Sequence, residues 1–453
     1  MNRTGTLFAL LLCTTALLAA EKPNIIFILA DDLGQGDLGC YGQQKIKTPN
    51  LDRLAAEGTR FTQAYSGTTV CAPSRTSLMT GLDMGHSPVR ANREIIKGNG
   101  QMPLPEKTVT VAQLLKQQGY ATACMGKWGM GMFDTTGSPL KKGFDHFYGY
   151  NCQRHAHSYF PEYLYENDKR FELPENKEGK KTYADKLIQK DVLSWVEKQK
   201  STRFFLFYAT TLPHGSYEID NLGQYADLPG WTDQAKTFAA MVTRLDSNVG
   251  ELVALLKEMG IEKKTLILFS GDNGAAFGDK SQTSLFFNQS MDGKLRGFKR
   301  GMYEGGLRQA SLACWPGTVP AGRVSDDPWA FWDILPTCAE LSGATYPQDF
   351  TPCGLSLVSF LKGGPAPQRE YFYWELHEGT PQQAVRFGNW KAVRNSPKGK
   401  IELYDLSKDS AEQNDLAESQ PEKVKQAEQL MLQARVDDPN WPLKEASKKK
   451  GKL

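Results

Sequence analysis

Two adjacent carboxylates, Asp31-Asp32, follow the apolar run NIIFILA at 24–30, and a second polar pair, Asp272-Asn273, follows the run KTLILFS at 264–270. All their ligand atoms are oxygens. That set suits a hard cation, Ca²⁺ or Mg²⁺, and the neutral Asn273 carbonyl fits calcium's tolerance for mixed ligands. Lys127 in Gly126-Lys127-Trp128 follows the run YATACM, and Pro213-His214 follows RFFLFYA, so a cation and an imidazole stand at two further run ends. Cys71-Ala72-Pro73-Ser74-Arg75 opens a helix-like segment that closes at Gly81. Pro73 and Ser74 suit a first turn. A helix start attracts anions through its free N–H groups, and Arg75 adds forked donors. A thiol there is expected to have a lowered pKa.

Taken singly, each feature has a plainer reading: Asp31-Asp32 as a helix cap, Asp272-Asn273-Gly274 as a turn, Cys71 as a structural or disulfide cysteine. Their shared placement favours a site. Continuous apolar runs mark strands buried on both faces. Between them the sequence predicts helices over 110–118, 183–198 and roughly 234–258, the last with Met241, Leu245, Val249, Leu252 and Leu256 on one stripe. The alternation argues for an α/β fold, a large mostly parallel sheet with helices on both faces. Ligands bind beyond the carboxyl ends of such strands. Asp31, Asp32, Lys127, His214, Asp272 and Asn273 would therefore meet at one edge, where paired carboxylates are costly unless a cation neutralises them.

Beyond about residue 365 the pattern changes to short strands near 370–375, 383–387, 390–394 and 401–405, a hairpin turn at Gly388-Asn389, and a helix over 421–435. The expected organisation is a signal peptide over 1–20, a main unit over 21–365 and a small antiparallel subdomain with a helix over 366–453. Residues 1–20 combine Arg3, an apolar core from Leu7 to Leu18 and a small Ala19-Ala20 end. They read as a secretory leader, too short to span a bilayer, so an exported protein, periplasmic or extracellular, is expected. The 453 residues carry a net charge of +3, too little to suggest nucleic acid or a membrane surface as partner. Of the 8 cysteines, Cys13 lies in the leader, which leaves an odd number and so at least one free or modified.

Together the blocks resemble the type I sulfatases of the alkaline phosphatase superfamily. Cys71-x-Pro73-Ser74-Arg75, with Gly81 at the motif's glycine, is similar to that family's maturation motif, in which the cysteine becomes Cα-formylglycine. GKW at Lys127, PH at His214, DNG at Asp272-Asn273 and LRGFK at Lys299, ahead of Glu304-Gly305-Gly306, occur in the family's order. The resemblance implies a sulfuric ester hydrolase with calcium held by Asp31, Asp32, Asp272, Asn273 and residue 71. One hydroxyl of hydrated formylglycine would attack sulfur, and the aldehyde would then reform and expel sulfate. Arg75, Lys127 and Lys299 would surround the sulfate oxygens, and His214 or Lys299 would protonate the leaving alcohol. A formylglycine-generating enzyme is the implied maturation partner.

One position departs from the family. Many members carry histidine directly after GKW, where Gly129 stands here. The RHAH segment, Arg154 to His157, is the candidate replacement, with His155 or His157 reaching the pocket as base or substrate contact. Tyr150, Tyr159, Tyr163 and Tyr165 flank it and would suit sugar faces. Glu375 and His377, in YWELHEG, resemble segments that such enzymes bring to the pocket rim. The implied substrate is a sulfated carbohydrate of galactose or GalNAc type. Alternatives are a phosphomonoesterase or phosphonate hydrolase of the same superfamily, or a non-catalytic glycan-binding relative.

Overall fold

A computed structural model describes residues 22–96, 100–276 and 295–444. The leader-like segment and the basic tail from Lys448 lie outside the described residues. In chain order the strands are β1 (Asn24–Ala30), β2 (Thr59–Tyr65), β3 (Glu94–Ile96), β4 (Gly100–Gln101), β5 (Ala121–Lys127), β6 (His146–Tyr150), β7 (Tyr163–Glu166), β8 (Lys169–Glu172), β9 (Phe204–Ala209), β10 (Thr265–Gly271), β11 (Arg308–Cys314), β12 (Arg323–Ser325), β13 (Trp329–Ala330), β14 (Phe372–Leu376), β15 (Gln382–Phe387), β16 (Trp390–Arg394) and β17 (Ile401–Asp405). The helices are α1 (Pro49–Ala56), α2 (Cys71–Thr80), α3 (Val111–Gln117), α4 (Ala184–Glu197), α5 (Asp233–Glu258), α6 (Glu304–Leu307), α7 (Ile334–Ser342), α8 (Val358–Leu361) and α9 (Pro421–Gln433).

An 11-stranded sheet runs β12-β2-β11-β10-β1-β9-β5-β6-β7-β8, with β13 also on β2. Its centre, β10-β1-β9-β5-β6, is parallel throughout. The flanks are not: β11 runs antiparallel to both β10 and β2, and β7 and β8 close the other end antiparallel. The sheet as a whole is therefore mixed. The flanking strands are hard to read from sequence. β11 (RQASLAC) is short of large apolar side chains, and β8 (KRFE) is exposed along its length.

Every residue of β1 is buried. Ile26, Ile28 and Ala30 belong to one core with Ile188 and Val192 of α4 and Leu245, Val249 and Leu252 of α5. Ile25, Phe27 and Leu29 belong to the opposite core with Leu114 of α3, Leu78 of α2 and Leu335 of α7. Side chains alternate along a strand, so an unbroken apolar run is what a two-sided core demands.

The sheet β14-β15-β16-β17 is antiparallel, and Phe387 pairs with Trp390 across the Gly388-Asn389 turn. One face packs Phe372, Trp374 and Leu376 on Tyr65, Val70, Met302 and Trp332, and the other packs on α9. Full burial of such side chains contributes about 1.5–3 kcal/mol each. A buried charge cluster joins the two sheets beside this core. Lys391 of β16 lies 2.9 Å from both Glu304 and Glu412, and Tyr65 donates to Glu304 at 2.7 Å. Burial opposes ionisation of Glu304, but Lys391 outweighs it and holds the carboxyl near about 2. The cluster thereby anchors the chain that follows Lys299.

Candidate active site

The strand ends converge as the parallel order requires. Asp31 continues β1, and its N–H donates to Leu212 O at 2.9 Å. Asp272 continues β10, and its N–H donates to Ala30 O at 2.9 Å. Lys127 is the last residue of β5, and its Nζ lies 2.6 Å from Asp31 Oδ2. Arg75, one turn into α2, donates to Asp272 Oδ2 through Nε at 3.1 Å and Nη2 at 2.9 Å. Ser74 fixes the same junction by donating to Asp272 O at 2.6 Å. Asp32 sits in the left-handed region, φ 60°, a conformation that aspartate tolerates better than most residues. Its N–H donates to Asp272 Oδ1 at 3.1 Å, and Asn273 Nδ2 donates to its Oδ1 at 2.7 Å.

Lys299 completes the group from a distant part of the chain. Its Nζ lies 2.7 Å from each Asp32 carboxylate oxygen, 3.6 Å from Cys71 Sγ and 3.3 Å from His214 Nε2. Close backbone approach places this segment: a Cβ on Gly305 would lie 2.2 Å from Gly297 O. Cys71 opens α2, with Sγ 3.5 Å from Asp31 Oδ1. Asp31, Asp32, Cys71 and His214 offer ligand atoms that all lie within 4.8 Å of one another. Asn273 Oδ1 is buried without a protein partner. Two carboxylates beside one orphaned carbonyl oxygen fit a hard cation.

Electrostatics at the site are strongly perturbed. Burial raises the cost of ionising Asp31, yet Lys127, His214, Arg75 and Lys299 outweigh it and hold the carboxyl well below its ordinary value. Burial also lowers the His214 pKa, against the pull of Asp32 and Asp31. His214 Nδ1 faces Gly215 O at 3.0 Å, which assigns the ring proton to Nδ1 and leaves Nε2 as an acceptor beside Lys299. The expectation of an acidified thiol is overturned. Burial pushes Cys71 up to about 12, because Lys127 and Lys299 cannot offset desolvation and the neighbouring Asp31 and Asp272. The unmodified thiol is therefore not a ready nucleophile. No disulfide forms among the described cysteines.

A cavity of about 530 Å³ opens over Cys71, Asp32, His214 and Lys299. Its lining includes the polar or charged residues Asn92, Gln101, Gln153, Arg154, Arg300 and Glu378. Sequence pattern does not mark most of these, because their approach to the cavity depends on the folded chain. His157 lines the cavity and stacks on His214, ring centres 4.4 Å apart and planes 17° apart. Burial and the charge neighbourhood lower its pKa to about 4. His155 does not line it. Its ring packs 4.3 Å from Tyr163 and 5.0 Å from Tyr150 on the far side of the same turn. The four tyrosines are likewise structural, and Tyr159 donates to Thr211 O and His214 O, supporting the His214 loop.

Glu375 and His377 are corrected too. Glu375 is fully buried between Arg90 and Arg435, accepts from Tyr373, and lies 3.0 Å from His377 Nε2. The rim residue of this segment is Glu378, paired with Arg300 at 2.7 Å. Burial would push Glu375 up, but His377, Arg90 and Arg435 hold it at about 2. A carboxyl lowered on folding stabilises above its ordinary pKa of about 4.3 and loses that contribution as pH falls toward 2. Glu375→Gln is expected to lower neutral-pH stability by about 3 kcal/mol and to flatten the Tm–pH curve below about pH 4.5. An acid limb identical to the wild type would refute this role.

The Sulfatase family model matches residues 23–344, and a second model, N-sulphoglucosamine sulphohydrolase, C-terminal, matches residues 296–437. The chain is 33% identical to N-acetylgalactosamine-6-sulfatase of Canis lupus familiaris over 396 residues, 83% of this chain and 72% of that protein. It is 32% identical to arylsulfatase A of Homo sapiens over 482 residues, 94% of this chain and 91% of that protein. Among solved structures it is similar to Ps i-CgsB in complex with k-i-k-neocarrahexaose, with a TM-score of 0.80 at 28% identity, covering 93% of this chain and 95% of that one.

Proposed function

The chain belongs to the type I sulfatase family, within the alkaline phosphatase superfamily, and from that premise we propose that it removes sulfate from a galactose- or GalNAc-type glycan outside the cytoplasm. The observation that carries the substrate reading is the cavity wall. The amides of Asn92, Gln101 and Gln153, the guanidinium groups of Arg154 and Arg300 and the carboxylate of Glu378 line the cavity over Cys71 and suit a ligand rich in hydroxyls. The names of two relatives point the same way, one to N-acetylgalactosamine 6-sulfate and one to k-i-k-neocarrahexaose. The leader-like composition of residues 1–20 supports export. We retain the division of the mature chain into a catalytic unit over 21–365 and a subdomain over 366–453.

The reactive atom would be the oxygen that conversion to formylglycine, by a maturation enzyme, places on residue 71. Asp31, Asp32, Asp272 and Asn273 would hold a calcium ion with residue 71, supplying a Lewis acid that favours a deprotonated hydroxyl and polarises a sulfate oxygen. Arg75 and Lys127 hold the carboxylates in place and, with Lys299, would set positive charge toward the transferring sulfo group. The Lys299–His214 pair would supply the proton of the leaving alcohol: Lys299 carries it and His214 Nε2 is the adjacent lone pair. His157, neutral and stacked on His214, would contact the sugar.

The test is kcat/KM of the matured, calcium-loaded protein on defined galactose and GalNAc sulfates, aryl sulfate and matched phosphate esters. Sulfated galactose-type saccharides are expected to be preferred, with loss of turnover on chelation and recovery with calcium rather than magnesium. Equal or better turnover of phosphate esters, or turnover confined to aryl sulfate, would overturn the substrate reading.

A further inference from the structure

The pairing of β5 with β6 continues past both strand ends. Lys127 sits opposite Tyr150, Trp128 N–H donates to Tyr150 O at 3.0 Å, and Gly129 N–H donates to Asn151 O at 3.1 Å. This extension carries the segment after Asn151 across Gly129, where Gln153 N–H is held by Gln101 Oε1 at 3.0 Å. Gly129 has φ 78°, and a Cβ on it would lie 2.1 Å from Gln153 Nε2. The Gln153 side chain thus fills the space that a side chain at position 129 would need. Gln153 is 5% exposed and lines the cavity over Cys71. Neither Nε2 nor Oε1 of its amide has a hydrogen-bond partner. Leaving one buried polar atom unpaired costs about 1–3 kcal/mol, so an amide orphaned at both ends on a cavity wall is matched to a partner that enters the cavity.

We propose that Gln153 is a positioning residue for sulfate-ester hydrolysis, its amide donating to an oxygen of the sulfo group held over residue 71. It brings a neutral donor to the space that a side chain at position 129 would need. A primary amide orients but exchanges no proton near neutral pH, so proton transfer stays with other groups. The inference rests on the sulfatase activity and not on the identity of the sugar.

The decisive comparison uses wild type, Gln153→Ala and Gln153→Glu in the full chain. Inorganic sulfate is the binding probe, followed by its shift in thermal midpoint, and kcat/KM is measured on an aryl sulfate and on a sulfated galactoside. Gln153→Ala should lose most of the sulfate-induced shift and about 10–100-fold in kcat/KM on both substrates. Its ligand-free midpoint should not fall, because its amide has no protein partner to lose. Gln153→Glu, nearly isosteric, should be worse than alanine at neutral pH and recover toward it as the carboxyl protonates. Sulfate binding and kcat/KM within two-fold of wild type for Gln153→Ala, or equality of the Ala and Glu variants across pH, would overturn the proposal. If aryl sulfate is hydrolysed and the galactoside is not, the sugar reading fails while the Gln153 assignment is still decided.

Discussion

Cys71→Ala is expected to reduce kcat/KM on any sulfate ester by on the order of 10⁵-fold or more, as loss of a nucleophile does elsewhere. Cys71 is the only thiol or hydroxyl side chain among the described residues lining the cavity. Its Sγ sits 3.5 Å from Asp31 Oδ1 and 3.6 Å from Lys299 Nζ, so the attacking atom and the groups that would activate it share one small volume. The thiol as such is a poor candidate, with its pKa pushed to about 12 by burial. Oxidation to an aldehyde removes that obstacle, because a hydrated aldehyde offers an oxygen nucleophile and a route to expel sulfate by C–O cleavage. The accompanying measurement is the mass of the peptide containing residue 71, which should show an aldehyde in place of the thiol after maturation. The alanine substitution removes one small buried atom and should leave the thermal midpoint within a few degrees. Activity within ten-fold of wild type would sink the assignment.

Lys299→Met should cost about 10³-fold in kcat, the upper end for loss of one preorganised cationic donor. The single Nζ binds both oxygens of Asp32 at 2.7 Å and touches Cys71 and His214. Methionine keeps the length and apolar stem but removes the charge, so the change isolates the ammonium. Breaking a buried pair by removing one partner typically destabilises by about 3–5 kcal/mol. That loss should appear as a lower Tm in chelator and shrink when calcium is added, since both cations neutralise Asp32. A kcat loss below ten-fold, or a Tm deficit indifferent to calcium, would exclude Lys299 from this role.

Much of the frame was legible because its physics is local. A strand buried on both faces must be apolar at every position, which is why β1, β9 and β10 stand out as NIIFILA, FFLFYA and TLILFSG. Parallel order then sends every strand end to one edge, so strand pattern alone groups Asp31, Asp32, Lys127, His214, Asp272 and Asn273. The flanking strands were not legible: β11 and β8 lack the apolar runs that betray a central strand, and pairing with neighbours far along the chain makes them strands.

The residues around the chemistry show the limit more sharply. RHAH puts two histidines two positions apart, and a single 3-10 turn sends His157 to the cavity and His155 into a tyrosine cluster. YWELHEG offers two carboxylates, and Arg90 and Arg435 claim Glu375 while Glu378 reaches the rim. The sequence alone determined the donor types at the strand ends and the reactive helix start, because strand periodicity and helix capping depend on neighbours along the chain. Only the tertiary structure decided which loop residues face the cavity, that burial raises rather than lowers the Cys71 pKa, and that Gln153 fills the space beside Gly129. Those outcomes depend on contacts between segments distant in sequence and on the desolvation they impose, which no local pattern encodes.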